Sequence, residues 1–222
     1  MSNALDLEEQ EQLDQLKHFW KTWGNLISWV LIAVLGSYAA WNGYQYWQRS
    51  QAVKASALYD EVERAVGSGD AARIERSFAD MKDKFGGTQY AQQAALLSAK
   101  SLQALGKSDA ARAALSWVAE KASDAAYRDI ARLRLAGMQL DAKAYDDALK
   151  QLGAEFTPAM VGMAADLRGD VLQAKGQTAE ALVAYQQAWT QLVDAADYRR
   201  LVQAKLNALG VDPQPFVTES KK

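Results

Sequence analysis

The chain has 222 residues, half of them apolar, and a formal charge of -2, which is enough for one extended domain plus an anchor and too short for two large enzyme domains. From Arg49 onward 23 basic residues meet 22 acidic ones, which leaves no positive field for nucleic acid, and the lack of cysteine excludes thiolate nucleophiles, Cys-ligated zinc and disulfides. Three prolines and 14 glycines among abundant Ala, Leu, Gln, Lys, Asp and Glu favour helix throughout, so the expected class is all-α.

Residues 1–23 read as a short N-terminal segment. Asp6 with Glu9 three residues on is a carboxylate variant of a capping box, and Glu8, Glu9, Glu11 and Asp14 lie early in the helix, where its dipole favours them. Leu13, Leu16, Trp20 and Trp23 then share one helical face, either as a lead-in to a bilayer or as a docking stripe for a membrane partner. Residues 24–47 read as a transmembrane helix. No charge occurs between Lys21 and Arg49, and about 20 helical residues at about 1.5 Å each cross a hydrocarbon core of about 30 Å. Trp20 and Trp23 border the stretch on one side, and Tyr38, Trp41, Tyr44, Tyr46 and Trp47 on the other, where rings with one polar atom favour the headgroup level. Ser37-Tyr38-Ala39 is a formal signal-peptidase pattern, but the acidic leader and the aromatic helix that continues past it favour an uncleaved anchor. Lys17 and Lys21 before the span balance Arg49 and Lys54 after it, so charge bias does not orient it.

Residues 48–210 read as helix, small turn, helix, repeatedly. Gly106-Lys107-Ser108-Asp109-Ala110-Ala111 lies over Gly176-Gln177-Thr178-Ala179-Glu180-Ala181, and Lys143 to Ala148 is a third copy without the turn glycine. An earlier copy sits at Gly69 to Arg73, with Phe78, Met81 and Phe85 on the helix that follows. Aligning Ala72, Ala111, Ala148 and Ala181 gives spacings of 39, 37 and 33 residues, around the tetratricopeptide period of about 34. Small residues at Ala99, Ala136 and Gly169 let paired helices approach, with Leu102, Leu115, Val118, Leu152, Leu172 and Tyr185 filling between pairs. A helix from about Ala195 to Leu209, with Tyr198, Leu201, Val202 and Leu206 inward, would cap the stack. Gly210 and Pro213 stop it, leaving 211–222 as a flexible tail. The region resembles the tetratricopeptide repeat family, and the fold class expected is one N-terminal transmembrane helix followed by a helical-hairpin solenoid with a C-terminal capping helix.

No catalytic, cofactor or metal constellation emerges. His18, the single histidine, sits beside the span; Gly86-Gly87-Thr88 reads as a helix stop and N-cap rather than a phosphate cradle; Asp146-Asp147 and Glu61 with Glu63 are ordinary solvated helix positions. Repeat stacks instead bind proteins through their first helices. The candidate binding residues are Leu96, Lys100 and Gln103 in the second unit, Leu133 and Leu140 in the third, and Met163, Asp166, Asp170 and Gln173 in the fourth. They carry no run of Lys and Arg for clamping a C-terminal carboxylate, and the alternative that they only pack or face water stands beside the binding one.

Glu8-Glu9 with Leu16-Lys17, then Phe19-Trp20-Lys21, Gly24, a span ending in Tyr44-Gln45-Tyr46-Trp47 and a repeat domain carrying Phe85-Gly86-Gly87-Thr88-Gln89-Tyr90-Ala91 together resemble the family of ancillary SecYEG translocon subunits. The resemblance covers essentially the whole chain and rests on the order of the motifs. It implies a bacterial inner-membrane adaptor, not an enzyme and without cofactors, with a cytoplasmic N-terminus and periplasmic repeats. Its implied partners are the SecYEG translocon, a membrane-anchored periplasmic prolyl-isomerase-type chaperone and the lipid bilayer, and its implied role is passing newly translocated chains to periplasmic folding factors. A different class of function, a membrane tether that sequesters a signalling or stress-response regulator through residues 1–23, is the alternative. Lys143 in place of the usual turn glycine is a departure from the repeat pattern.

Overall fold

A computed structural model describes residues 7–213, with side chains from residue 11 onward. Asp6, the side chains of Glu8 and Glu9 and the tail beyond Pro213, all used in the sequence reading, lie outside the described residues. Nine helices make up the described chain: α1 (Leu7–Ser68), α2 (Ala71–Phe85), α3 (Gln89–Ala104), α4 (Ser108–Lys121), α5 (Ala125–Asp141), α6 (Tyr145–Leu152), α7 (Pro158–Ala174), α8 (Thr178–Gln191) and α9 (Ala196–Ala208). Contacts within the chain divide it between Gln51 and Ala52 into two units.

The first unit is the N-terminal part of α1. It is one uninterrupted helix through the lead-in and the apolar stretch, with a mean hydropathy of 1.4 over its most apolar window, so it has the length and composition to cross a bilayer. Nearly every large apolar side chain from Leu13 to Trp47 is exposed, as a span surrounded by lipid requires. The polar groups along it bond back onto the helix's own carbonyls. Thr22 Oγ1 donates to the His18 carbonyl at 2.9 Å, Ser37 Oγ to Ala33 at 2.7 Å and Asn42 Nδ2 to Tyr38 at 2.9 Å. Such internal partners remove the cost of carrying polar groups into hydrocarbon, which is several kcal/mol for an unsatisfied one.

The second unit is a run of helical hairpins: α1 from Ala52 with α2, α3 with α4, α5 with α6, α7 with α8, and α9 at the end. Where the partner helix follows, the hairpins turn on a residue in the left-handed region: Gly69 (φ 68°), Gly106 (74°), Lys143 (60°) and Gly176 (85°). Gly210 (78°) closes α9 in the same way. These five stand 37, 37, 33 and 34 residues apart, a cleaner period than the alanines show. At four of them the same pair of bonds caps the helix. At Gly106, for example, Gly106 N donates to the Gln103 carbonyl at 3.0 Å and Lys107 N to the Leu102 carbonyl at 2.8 Å, and the pattern recurs at Lys143, Gly176 and Gly210.

Lys143 therefore holds the backbone role of the missing glycine. A side chain in this region costs about 1 kcal/mol relative to glycine. Lys143→Gly is expected to stabilise the repeat unit by about that amount, measured as a shift of the thermal or denaturant midpoint, because the turn hydrogen bonds are already in place.

Five residues after each of the first four turn residues stand Ile74, Ala111, Ala148 and Ala181, each fully buried. Ala72, aligned with those alanines on the sequence, is exposed instead. The first copy is two residues out of register in that alignment, because an Ala-Ala pair follows Gly69 at once while the buried position is filled by a branched residue. In the corrected register Val62, Ala99, Ala136 and Gly169 lie twelve residues earlier, all buried at the hairpin crossings. Gly169 is there for space: a Cβ on it would lie 2.3 Å from Cε1 of the Tyr185 ring. Leu102, Leu115, Val118, Leu152, Leu172 and Tyr185 fill the core as the pattern predicts.

Asp70 accepts from the backbone N–H of Ala72 and Arg73, Thr88 from Ala91, and Asp124 from Ala126, so three helix starts have side-chain caps. The Gly86-Gly87-Thr88 segment is thus a helix stop and an N-cap. On α9, Val202 and Leu206 are fully buried and Tyr198 half-buried, but Leu201 is 49% exposed. A stripe at 198, 202 and 206 advances by fours, and residue 201 lies about 100° off it, so the inward placement expected for Leu201 is corrected.

The hairpins are unequal in one respect. The second helices α2, α4 and α8 have 15, 14 and 14 residues, whereas α6 has eight. Gly153 follows α6, and Pro158 biases Thr157 away from helical backbone, so the chain runs irregularly from 153 to 157. The buried carboxylate of Asp129, on α5, fixes this connection. Its Oδ2 accepts from Thr157 N at 2.8 Å and Thr157 Oγ1 at 2.7 Å, while Arg132 donates to the Glu155 carbonyl at 3.3 Å.

Candidate protein-interaction surface

The candidate residues all fall on first helices: Leu96, Lys100 and Gln103 on α3, Leu133 and Leu140 on α5, and Met163, Asp166, Asp170 and Gln173 on α7. Helical repetition puts them at matching positions of successive hairpins, but their surroundings differ. Lys100, Gln103 and Gln173 are exposed; Leu133, Leu140 and Met163 are half-buried; Leu96 is buried, its carbonyl accepting from Arg134 Nη1 at 3.2 Å.

Asp166 and Asp170 are brought together one turn apart in a network that the sequence reading did not foresee. Lys205 on α9 reaches Asp166 at 2.8 and 2.9 Å and Asp170 at 2.7 and 2.8 Å. The Tyr198 hydroxyl donates to Asp166 at 2.8 Å and the Tyr185 hydroxyl to Asp170 at 2.9 Å. Asp166 is 1% exposed, so its charge depends on these partners. The ammonium and the two hydroxyls join α7, α8 and α9 through these two carboxylates. A sequence signal existed: Lys205 lies three residues after Val202 and one before Leu206, a charged group beside a buried stripe.

Burial raises the Tyr185 and Tyr198 hydroxyls well above the usual tyrosine range, and the hydrogen bonds to Asp170 and Asp166 raise them further. A folded-state pKa above the unfolded value of about 10 means that the associated stability is complete below about pH 10 and is lost as the pH rises through the folded value. Alkaline titration followed by tyrosinate absorbance is expected to show two tyrosines that ionise only as α7–α9 unfold. In a Tyr185→Phe, Tyr198→Phe double variant that late step should vanish.

A second grouping joins the first three hairpins. Tyr59 and Tyr90 rings stand 5.8 Å apart, and Gln93 Nε2 donates to the Tyr127 hydroxyl at 2.8 Å. Burial, and then Glu63, raise the Tyr59 hydroxyl above its usual range. Tyr90 and Tyr127 are 37 residues apart, the period of the turns, so this repeat was present in the sequence and missed.

The shortened α6 leaves a cleft of about 280 Å³. Leu152, Phe156, Val161 and Ala165 supply its apolar lining, and Arg168, Glu155 and Gln187 its polar lining.

A family profile described as a tetratricopeptide repeat-like domain matches residues 17–211. The chain is 32% identical over 212 residues to a Neisseria gonorrhoeae protein named ancillary SecYEG translocon subunit, with 93% of this chain and 99% of that protein covered. Proteins of the same name from Haemophilus influenzae and Escherichia coli are 30% and 27% identical, over 93% and 91% of this chain and 100% and 97% of theirs. No solved structure matches. The period of the turns, the recurrent buried residue at each crossing and the near full-length similarity converge: the chain belongs to the tetratricopeptide repeat-like family of ancillary SecYEG translocon subunits.

Proposed function

We propose that the chain is a non-catalytic, membrane-anchored adaptor of the Sec translocon, in which α1 is the anchor and the hairpins bind proteins. The observation that carries this reading is full-length similarity to proteins named as translocon subunits, in a chain whose described structure joins a bilayer-length helix to a repeat stack. The finer reading places the N-terminus in the cytoplasm and the repeats in the periplasm of a bacterial inner membrane. There the repeats pass newly translocated chains to folding factors, a membrane-anchored prolyl-isomerase-type chaperone among them. The exposed first-helix residues Lys100, Gln103 and Gln173 and the half-buried Leu133, Leu140 and Met163 form the binding face. Leu96, Asp166 and Asp170 support it from beneath, the two carboxylates by holding α9 in place.

Purification of the full chain in mild detergent is expected to bring down SecY and the chaperone. Recovery of neither sinks the adaptor reading. Protease added to right-side-out spheroplasts should digest the repeats and spare the N-terminus. The reverse pattern would overturn the orientation while leaving the adaptor reading open.

A further inference from the structure

Three glycines lie inside the first helices α3, α5 and α7, and packing explains two of them. A Cβ on Gly162 would run into Leu192, and one on Gly169 into Tyr185. Gly137, well inside α5, is different: a Cβ there would meet nothing within 4 Å. Its backbone is ordinary helix with no positive φ, so the conformation does not demand glycine either. Glycine in a helix interior is less stable than alanine, because it loses more backbone freedom on folding. The third hairpin therefore forgoes stability at a position where the chain itself would admit a side chain.

The register shows what is missing. Gly137 stands six residues before its turn residue, Lys143, where the other hairpins carry Glu63, Lys100 and Asp170. On α5 the same place is a gap of bare backbone between Leu133 and Leu140, one turn to either side, and both leucines are half-buried. The flanking first helices offer amides: Gln103 on α3 and Gln173 on α7 are exposed and stand three residues before their turns, where α5 has Leu140. Charges around the gap are of both signs, Lys100 and Arg134 against Asp141 and Asp170, so no net charge is asked of a ligand.

The amides decide between a helical and an extended ligand. A helix satisfies its own backbone, whereas an extended chain presents N–H and C=O groups that need partners, and a carboxamide supplies both a donor and an acceptor. We propose that the gap at Gly137 receives one large apolar side chain from an extended, uncharged segment of an unfolded polypeptide. The side chain seats against Leu133 and Leu140, and Gln103 and Gln173 pair with the backbone on either side. Packed helices lie about 8–10 Å apart, which about three extended residues at about 3.3 Å each span, so the amides meet the segment about three residues before and after the inserted side chain. The proposal rests on the reading of the first helices as the binding face and names the class of substrate that this face takes.

The test uses the full chain in nanodiscs and fluorescein-labelled peptides of about fifteen residues. Each is built from Gly, Ser and Thr, with one central Phe and prolines on both flanks that exclude a helix. Fluorescence anisotropy should show saturable binding that falls about tenfold when the Phe becomes Ser. Gly137→Gln should lower binding by about the same factor. Gly137→Ala should weaken binding while raising the thermal midpoint by about 2–4 °C, and these opposite signs separate loss of binding from loss of fold. Ala113→Gln, at an exposed position of α4, should leave binding unchanged.

No saturable binding, unchanged binding in the Gly137→Gln variant, or an equal fall in the Ala113→Gln variant would each overturn the proposal. So would equal binding of an alanine-based helical peptide with the same Phe, or a lowered midpoint in Gly137→Ala, which would give the glycine a role in the fold. Co-purification of SecY with the unaltered chain is scored in parallel. If SecY is recovered and no peptide binds, the proposal for Gly137 fails and the adaptor reading stands. If SecY is absent while the peptides bind as expected, the adaptor reading fails and the gap remains a site for extended chains.

Discussion

Asp166→Ala is expected to destabilise the C-terminal hairpin by about 3 kcal/mol, because it removes the buried carboxylate that Lys205 and Tyr198 share and leaves the Tyr198 hydroxyl without its acceptor. The carboxylate is almost wholly buried and accepts hydrogen bonds from the Lys205 ammonium on both oxygens and from the Tyr198 hydroxyl on one. After the substitution Lys205 keeps Asp170, but Tyr198 faces an apolar methyl and an unfilled space. Much of the cost is desolvation left unrecovered rather than lost attraction. Replacing the set together, as Asp166→Leu, Lys205→Met and Tyr198→Phe, is therefore expected to recover most of the stability. The recovery distinguishes a buried pair that registers α9 from one that is a net source of stability. In a stack where each hairpin touches mainly its neighbours, loss of protection in hydrogen exchange should be concentrated in α7–α9 and leave α2 and α3 unaffected. Uniform loss along the stack would contradict this local account.

Gly169→Ala should cost about 3 kcal/mol, a large effect for a single methyl group. The added carbon would lie 2.3 Å from Cε1 of the Tyr185 ring, which is itself 3% exposed and buried among its neighbours. Moving the ring breaks its hydrogen bond to Asp170, so overpacking of about 1–3 kcal/mol is joined by the loss of a bond to a charged acceptor. A cycle with Tyr185→Val identifies the mechanism, since the methyl should then be nearly neutral. The coupling is expected to approach the full cost of the single variant. Thermal unfolding of all four chains measures it, and additive effects would show that the two residues do not compete for the same space.

The two effects explain why α7 is legible in sequence in two different ways. Gly169 stands at a crossing position that is small in three of the hairpins, so its burial follows from a pattern repeated at Ala99 and Ala136. Nothing periodic marks Asp166, because the residues that answer it, Tyr198 and Lys205, lie 32 and 39 positions later on a helix that looks like a polar cap. By register alone, Asp166 and Leu96 belong with Lys100 and Gln103; depth divides them. The same limit produced the error at Ala72, where composition favoured an alanine and the buried position was Ile74.

By itself the sequence determined the all-helical class, the bilayer-length apolar helix, the hairpin repeat and the helix stops, because these depend on local backbone preference and on periodic burial, which neighbours in the chain impose on one another. It also carried the role of Lys143, since the turn demands a left-handed residue whatever packs around it. The tertiary structure alone decided that Leu201 faces out, that α9 is locked to α7 by Lys205, and that a shortened α6 leaves an open cleft beside Arg168. Each depends on groups from separate hairpins meeting in space, where burial and charge pairing act over distances that no sequence period records.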